Sequence, residues 1–278
     1  MAPDRSVAGE LACREWGEAA APVLVFLHGL GVIGPNATDE PAEAWAARGF
    51  RVLAPDLPGF GDTPAVTREE YLPSRLARRL LGELPETFSL VGFSWGATIG
   101  CHIVALAPER VRALVLVDAG YQSPAGPPSY DELLASAREE LGGSRFPDAA
   151  AFLKLVRGHY SPRLSDAALL ATLREENGEL VPRVSPEVYA AGLHGFHTEP
   201  TPPLYGALRG SQTPILLLVA GRSANERQQA DLVAFRAALP DADVHLYPDS
   251  GHNVLLDAAD EAIPAVADWL ARRQPRAA

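Results

Sequence analysis

FSLVGFSWGATIGCHIVALAP, residues 88–108, is the stretch that decides the fold. Residues 88–91 form a short apolar run, which is typical of a strand buried on both faces. Residues 97–107 carry apolar side chains at helical spacing, and Pro108 ends that pattern because proline cannot continue a helix. The stretch therefore predicts a strand that turns directly into a helix, with Gly-Phe-Ser-Trp-Gly at the turn.

Ser94 lies in this Gly-x-Ser-x-Gly pattern, which between a strand and a helix is typical of a nucleophile elbow. Gly92 and Gly96 allow the strand and the helix to pass closely, and the serine is expected in a strained backbone conformation that exposes its hydroxyl. The first amides of the helix point to the same place, where they can bind a developing oxyanion. We predict Ser94 as a nucleophile; the alternative is a tight turn whose serine only caps the helix.

The composition describes an acidic chain of 278 residues with a formal net charge of -11 and a pI of about 5.1. The length suits one α/β domain. Nucleic acid and anionic membranes are not expected partners, since both need a basic protein surface. Cys13 and Cys101 are too few for a disulfide framework, and without a secretory signal or an apolar membrane span we expect a cytoplasmic protein.

Strands and helices are predicted to alternate along most of the chain. Buried strands are predicted at residues 21–27, 51–54, 88–91, 111–117, 213–219 and 244–247, helices at 41–48, 74–84, 97–107, 226–238 and 260–272, and one or two edge strands at 6–16. This alternation predicts an α/β fold, a mainly parallel sheet with helices on both faces. Ligands of such sheets bind beyond the carboxyl ends of the strands.

The alternation breaks in residues 122–205, after the strand that ends near Asp118. Proline-rich segments at 123–128 and 199–203 enclose several helix-like segments there. We therefore expect a helical cap, residues 122–205, inserted over the strand ends of a core that is formed by residues 1–121 and 206–278.

A serine hydroxyl needs a base within hydrogen-bond reach, and that base needs a partner that fixes its tautomer. His252 is the best candidate, because it lies in a short loop after the last strand and follows the serine in chain order. His28 is a weaker candidate, since a histidine directly before such a glycine usually organises its loop. The other histidines are in a predicted helix or strand or in the insertion: His102, His245, His159, His194 and His197.

The chain resembles the capped, single-domain α/β-hydrolases over nearly its whole length. The motifs that carry the resemblance are HGLG at 28–31, DLPGFGDT at 56–63, GFSWG at 92–96 and SGHN at 250–253. They are specific for the fold and much less so for the substrate. The resemblance implies Ser94 as the nucleophile and His252 as the base. It also implies that the amides of Leu30 and Trp95 form the oxyanion hole.

The sequence departs from the family pattern at the acid that orients the base. The usual site is Gly-x-x-Asp after the strand that resumes the sheet, and here the expected position holds Ala224. Asp118 can supply the carboxylate instead, a placement that some members of the fold use. Glu226 is a second candidate, and a site with no acid is the third. We predict Asp118, with a carboxylate oxygen about 2.6–3.2 Å from a ring nitrogen of His252.

This set of groups suits acyl transfer to water, the hydrolysis of an ester, thioester, lactone or amide, without a metal or cofactor. Cleavage of a carbon–carbon bond next to a ketone is an alternative. Two other classes stay open, a catalytically decayed small-molecule binding protein, which Ala224 favours, and a biosynthetic acyltransferase or lyase. A small or medium, partly apolar acyl substrate is expected to contact His28, Gly29, Tyr121, Phe196 and His197.

Overall fold

The computed structural model describes residues 4–8, 10–31, 34–124, 126, 128–142, 144–158, 161–222 and 225–273. Ten strands are present in these residues: β1 (Asp4–Ala8), β2 (Leu11–Trp16), β3 (Val23–Leu27), β4 (Arg51–Pro55), β5 (Phe88–Phe93), β6 (Val111–Val117), β7 (Leu173–Glu176), β8 (Glu179–Pro182), β9 (Ile215–Ala220) and β10 (Asp243–Tyr247).

Eight of these strands form one sheet, in the order β1-β2-β4-β3-β5-β6-β9-β10. The strands from β4 to β10 in this order pair in parallel, and β1 and β2 add two antiparallel pairings at one edge. The predicted α/β class and mainly parallel sheet are confirmed. Because β5 lies between β3 and β6, the loops that leave these three strands meet at the same edge of the sheet.

The helices form two groups, those that pack on the two faces of this sheet and those in the segment between β6 and β9. They are α1 (Asp39–Ala46), α2 (Pro73–Glu83), α3 (Trp95–Leu106), α4 (Tyr130–Gly142), α5 (Ala149–Val156), α6 (Asp166–Leu170), α7 (Pro186–Thr198), α8 (Tyr205–Ser211), α9 (Glu226–Ala238), α10 (Val254–Asp257) and α11 (Ala259–Ala271). Four short 3-10 turns add to them: Pro35–Thr38, Arg68–Tyr71, Pro108–Arg110 and Pro202–Leu204.

Each face of the sheet has its own hydrophobic cluster. Leu90 of β5 belongs to the cluster that α2, α3 and α9 complete, and the next residue, Val91, belongs to the cluster of α1 and α11. Successive strand residues point to opposite faces, and β5 is apolar at every position except Ser89 because both of its faces are buried. On the second face, the indole nitrogen of Trp45 donates a hydrogen bond of 3.0 Å to the carbonyl of Ile263, which joins α1 to α11.

The segment between β6 and β9 contains α4 to α8 and also the antiparallel hairpin of β7 and β8. The expectation of a purely helical insertion missed this hairpin. Its turn is Asn177-Gly178, with φ angles of 54° and 81°, the dipeptide that tight hairpins favour. The division of the chain into a core and a cap stays a prediction. Among the described helices, none combines the length and the apolar character that crossing a membrane requires.

Candidate active site

The turn between β5 and α3 has the geometry of the predicted elbow. Ser94 has φ 53° and ψ -117°, a conformation that is rare for a residue with a side chain. A Cβ on Gly92 would lie 2.5 Å from the carbonyl oxygen of Gly96, and one on Gly96 would lie 2.3 Å from that of Leu27. Any larger residue at either position would collide with backbone. Both glycines are therefore required for β5 and α3 to approach each other and β3 this closely.

Three side chains form a continuous hydrogen-bond chain at this edge of the sheet. The Ser94 hydroxyl lies 2.9 Å from Nε2 of His252, and Nδ1 of the same ring lies 2.7 Å from Oδ2 of Asp118. In the tautomer that suits both contacts, Nδ1–H donates to the carboxylate and Nε2 accepts from the serine. The contact predicted between Asp118 and His252 is present. The His252 side chain is 51% exposed, so the base is open to solvent on one side.

Asp118 follows β6 directly and is 1% exposed. Its Oδ1 accepts a hydrogen bond of 2.9 Å from the amide of Ala220, and its own amide donates one of 2.8 Å to the carbonyl of Leu218. Both partners belong to β9, the neighbouring strand in the sheet. One carboxylate oxygen is thus fixed by backbone, and this turns the other oxygen toward His252.

Glu226, the alternative acid, is the first residue of α9 and is exposed. At this place a carboxylate complements the positive end of the helix dipole. Since Nδ1 of His252 is bonded to Asp118, Glu226 is not the carboxylate that the structure brings to the base. Ala224, at the position where the family commonly has its acid, lies outside the described residues.

The predicted oxyanion donors belong to the helix that follows the nucleophile and to the loop that follows β3. Trp95 is the first residue of α3, and the first amides of a helix have no partner within the helix. Leu30 follows β3 in a loop that passes against the elbow. The contact is close, since a Cβ on Gly29, the residue before Leu30, would lie 3.2 Å from the Ser94 Cβ. That both amides bind an oxyanion stays a prediction.

The sequence pattern of the alpha/beta hydrolase family matches residues 24–265. This chain belongs to the alpha/beta hydrolase family. It is 28% identical over 270 residues to the esterase Rv0045c of Mycobacterium tuberculosis, a match that covers 91% of this chain and 84% of that protein. It is 30% identical over 267 residues to a pimeloyl-(acyl-carrier protein) methyl ester esterase of Chromobacterium violaceum, with 90% and 94% covered.

Solved structures share the fold of this α/β-hydrolase. The thioesterase domain from the curacin biosynthetic pathway superposes with a TM-score of 0.74 at 23% sequence identity, over 97% of this chain and 98% of that domain. The esterases among the sequence relatives support ester hydrolysis as the activity of this chain. No group of three or more His, Cys, Asp or Glu side chains in the described part of the hydrolase is arranged to hold a metal ion.

His28 of this α/β-hydrolase does not fit its predicted role as a substrate-binding residue. The ring is 1% exposed, with Nδ1 2.8 Å from the carbonyl oxygen of Gly29 and Nε2 3.0 Å from the amide of Leu57. A neutral ring with its proton on Nδ1 satisfies both contacts, and burial lowers its pKa to about 3 from the ordinary 6.5. His28 therefore organises the loop after β3 and presents no free polar atom to a ligand.

Tyr121 is also buried, at 2% exposure, and burial raises the pKa of its phenol. Its carbonyl oxygen accepts a hydrogen bond of 3.2 Å from the hydroxyl of Tyr205, at the start of α8. This burial does not suit the predicted contact with substrate. Tyr121 instead packs in the cluster beneath the insertion.

Helix α7 carries Phe196 and His197 and lies directly on the loops of the site. A Cβ on Gly192, one turn before Phe196, would lie 2.5 Å from Cδ1 of Leu30 and 3.4 Å from Cζ2 of Trp95. Phe196 is partly buried against the cluster that contains Trp95, and its ring meets that of His197 edge-on at 5.5 Å. Contact of Phe196 and His197 with a substrate stays a prediction.

Among the described histidines, only His252 has a hydrogen bond to the serine. Nε2 of His102, in α3, lies 3.2 Å from the carbonyl oxygen of Glu199. The His194 ring, in α7, meets the ring of Tyr130 edge-on, and His245 is part of β10. His159 lies outside the described residues. Sequence reasoning missed Asp257, whose Oδ2 accepts a hydrogen bond of 2.9 Å from the amide of Gly251, next to the base.

Proposed function

We propose that this chain is a serine hydrolase that cleaves an ester, thioester or lactone of a small or medium acyl group through an acyl-enzyme intermediate. The hydrogen-bond chain from Ser94 through His252 to Asp118, with contacts of 2.9 and 2.7 Å, is the observation that carries the proposal. The esterases among the relatives support the same reaction class.

In the first half-reaction, the Ser94 hydroxyl attacks the acyl carbon while Nε2 of His252 takes its proton. The resulting imidazolium is stabilised by the buried carboxylate of Asp118, which also fixes the tautomer. The tetrahedral intermediate carries its negative charge on the former carbonyl oxygen. This oxygen is bound by the amides of Leu30 and Trp95.

Collapse of the intermediate breaks the bond to the leaving group, which receives the proton from His252 and becomes an alcohol or thiol. From an ester or thioester this group departs, and from a lactone it stays attached to the acyl group. A water molecule then attacks the acyl-serine, and His252 accepts a proton from that water. The second intermediate releases the carboxylic acid and returns the proton to Ser94. The exposed side of His252 gives water access to the base for this step.

The insertion is proposed to act as a lid that selects the acyl group. Support for this role comes from its helix α7, where a Cβ on Gly192 would lie 2.5 Å from Cδ1 of Leu30 and 3.4 Å from Cζ2 of Trp95, the two residues whose amides are proposed to bind the oxyanion. Lids that close over a bound substrate sequester the reaction from water.

A fluorophosphonate probe tests whether the serine is activated. We expect the wild-type protein to gain the mass of one phosphonyl group, with the adduct on the peptide that contains Ser94. Ser94→Ala is expected to remain unlabelled and to lose ester turnover on the order of 10³-fold or more. A folded wild-type protein that stays unlabelled would favour a binding protein.

A screen of p-nitrophenyl esters of graded chain length, followed by product analysis, defines the reaction further. A free carboxylic acid supports hydrolysis. Transfer of the acyl group to an added alcohol or amine in preference to water would favour an acyltransferase. No ester turnover, together with cleavage of a carbon–carbon bond next to a ketone in a separate assay, would favour the carbon–carbon bond hydrolase.

A further inference from the structure

The position of the base depends on a short surface loop. His252 lies between β10 and α10 with its side chain 51% exposed. The Phe93 ring lies on one side of the imidazole, with 5.1 Å between ring centroids. Side-chain packing therefore surrounds only part of the ring, and the backbone of the loop has to keep Nε2 on Ser94 and Nδ1 on Asp118.

Asp257 bonds to the backbone of this loop. It is the last residue of α10, and its Oδ2 accepts a hydrogen bond of 2.9 Å from the amide of Gly251, the residue directly before His252. The amide of Asp257 in turn donates a hydrogen bond of 2.9 Å to the carbonyl of Asn253, the residue directly after the base. One residue thus bonds the backbone on both sides of His252.

The contact with Gly251 is close. A Cβ on Gly251 would lie 2.8 Å from Oδ2 of Asp257, so the carboxylate occupies the place of a side chain at that position. The Asp257 side chain is 25% exposed, which makes it half as open to solvent as the base it supports.

Arg222 adds a second tie from the loop after β9. Its amide donates a hydrogen bond of 3.0 Å to the carbonyl of Ser250, and its guanidinium lies 3.6 Å from Oδ2 of Asp257. The Arg222 side chain is 64% exposed, so this ion pair is screened by water and contributes little on its own. The hydrogen bond from Gly251 is the stronger link.

We propose that Asp257 is a positioning residue for the catalytic base. Its carboxylate fixes the backbone at Gly251 and thereby sets the distance from His252 to Ser94 and to Asp118. The inference rests on the proposed function, because it takes His252 as the base. The reason for an effect on rate is geometric: a displacement of about 1 Å in a reacting group costs about 10²-fold in rate.

Substitutions at Asp257 separate positioning from charge and from general stability. Asp257→Ala removes the acceptor for the Gly251 amide, and we expect kcat for a p-nitrophenyl ester to fall about 10- to 100-fold with KM changed less than about threefold. Asp257→Asn keeps an oxygen acceptor in the same place and loses only the charge, so kcat is expected within about threefold of wild type. The contrast between these two variants is the signature of positioning.

Asp268→Ala is the matched control. Asp268 lies on α11 and pairs with Arg48 at 2.7 Å on the surface, so its removal also deletes an Asp–Arg pair but leaves the base loop untouched. Arg222→Ala is expected to act like Asp257→Asn, because the Gly251 hydrogen bond remains. If Asp257→Ala does not fold, Asp257→Ser replaces it, since the serine side chain is too short to reach the Gly251 amide.

Three results would overturn the inference. An Asp257→Ala variant with a lowered Tm and an unchanged kcat would make Asp257 merely structural. Equal losses in Asp257→Ala and Asp257→Asn would assign the effect to charge. A rise in KM at constant kcat would place Asp257 in substrate binding. Ser94→Ala in the same assay keeps the two proposals apart, since turnover by that variant would contradict the proposed function itself.

Discussion

His252 and Asp118 are 134 residues apart in the chain, yet Nδ1 of the histidine lies 2.7 Å from Oδ2 of the aspartate. The sheet order brings them together, because β6, which precedes Asp118, pairs with β9, and β9 pairs with β10, which precedes the His252 loop. Asp118 has a φ of 48° and Ser94 one of 53°, both in the left-handed region that residues with side chains avoid. Such strain persists only where the surrounding structure imposes it. Here the surrounding structure imposes it on both residues that contact the base.

The elbow glycines give a prediction about folding stability. Gly96→Ala places a Cβ 2.3 Å from the carbonyl oxygen of Leu27, so backbone has to move, and we expect the free energy of unfolding to fall by about 1–3 kcal/mol or more. Gly82→Ala, in α2, is the control, because its Cβ meets no atom within 4 Å. That variant is expected to be neutral or up to about 1 kcal/mol more stable. Urea unfolding measures both; equal effects of the two substitutions would contradict the close approach.

His28 gives a prediction about pH. Burial lowers its pKa to about 3 in the folded protein, against 6.5 for a free histidine, so between these values the unfolded chain binds a proton that the folded chain does not. Its contribution to stability is complete above pH 6.5 and is lost as the pH falls toward 3, by about 1.4 kcal/mol per pH unit.

The measurement is the free energy of unfolding at pH 7 and at pH 5 for the wild type and for His28→Asn, which has no group that titrates. We expect the wild type to lose about 2 kcal/mol more than the variant on this change of pH. The comparison uses the slope with pH, so a general loss of stability in the variant does not affect it. Parallel slopes would show that His28 has the same pKa in the folded and the unfolded chain, which would contradict its burial as a neutral ring.

Phe196 tests the proposed lid. If the last turn of α7 borders the acyl chain, Phe196→Ala should change the ratio of kcat/KM between short and long p-nitrophenyl esters by about 10-fold, the scale of one or two methylene groups in an apolar pocket. Leu155→Ala is the control within the same insertion, because Leu155 on α5 is 58% exposed. An unchanged ratio in Phe196→Ala, with a stability loss alone, would remove Phe196 from the pocket. His197→Ala applies the same test to the neighbouring side chain.

Most of the fold follows from sequence patterns that act over short distances. The bounds of the predicted core strands and helices agree with the structure to within two residues, because each has a continuous apolar pattern or ends at a proline or glycine. The hairpin of β7 and β8 was not predicted from the sequence, because its strands have four residues each and are partly exposed. Asn177-Gly178 is nevertheless a hairpin signal.

The residues of the candidate site also divide into those that a local motif predicts and those that depend on distant parts of the chain. Ser94 and His252 carry local motifs, and Asp118 could be proposed because it ends a strand at the same edge of the sheet. The burial of His28 and Tyr121 depends on residues far away in the sequence, so no local pattern excludes them from a pocket. Asp257 was missed because α10 has four residues, too few for a helical pattern, and its role depends on the fold of the loop before it.

The most direct test of the account is kcat/KM for ester hydrolysis by Asp118→Asn, compared with Glu226→Gln. In Asp118→Asn, the amide no longer stabilises the imidazolium and favours the wrong tautomer of His252, so we expect a loss of roughly 10⁴-fold, with Tm used to verify folding. Glu226 is exposed at the start of α9, and Glu226→Gln is expected to stay within about threefold of wild type. A large loss in Glu226→Gln with near wild-type turnover in Asp118→Asn would contradict the assignment of Asp118 as the acid of the site.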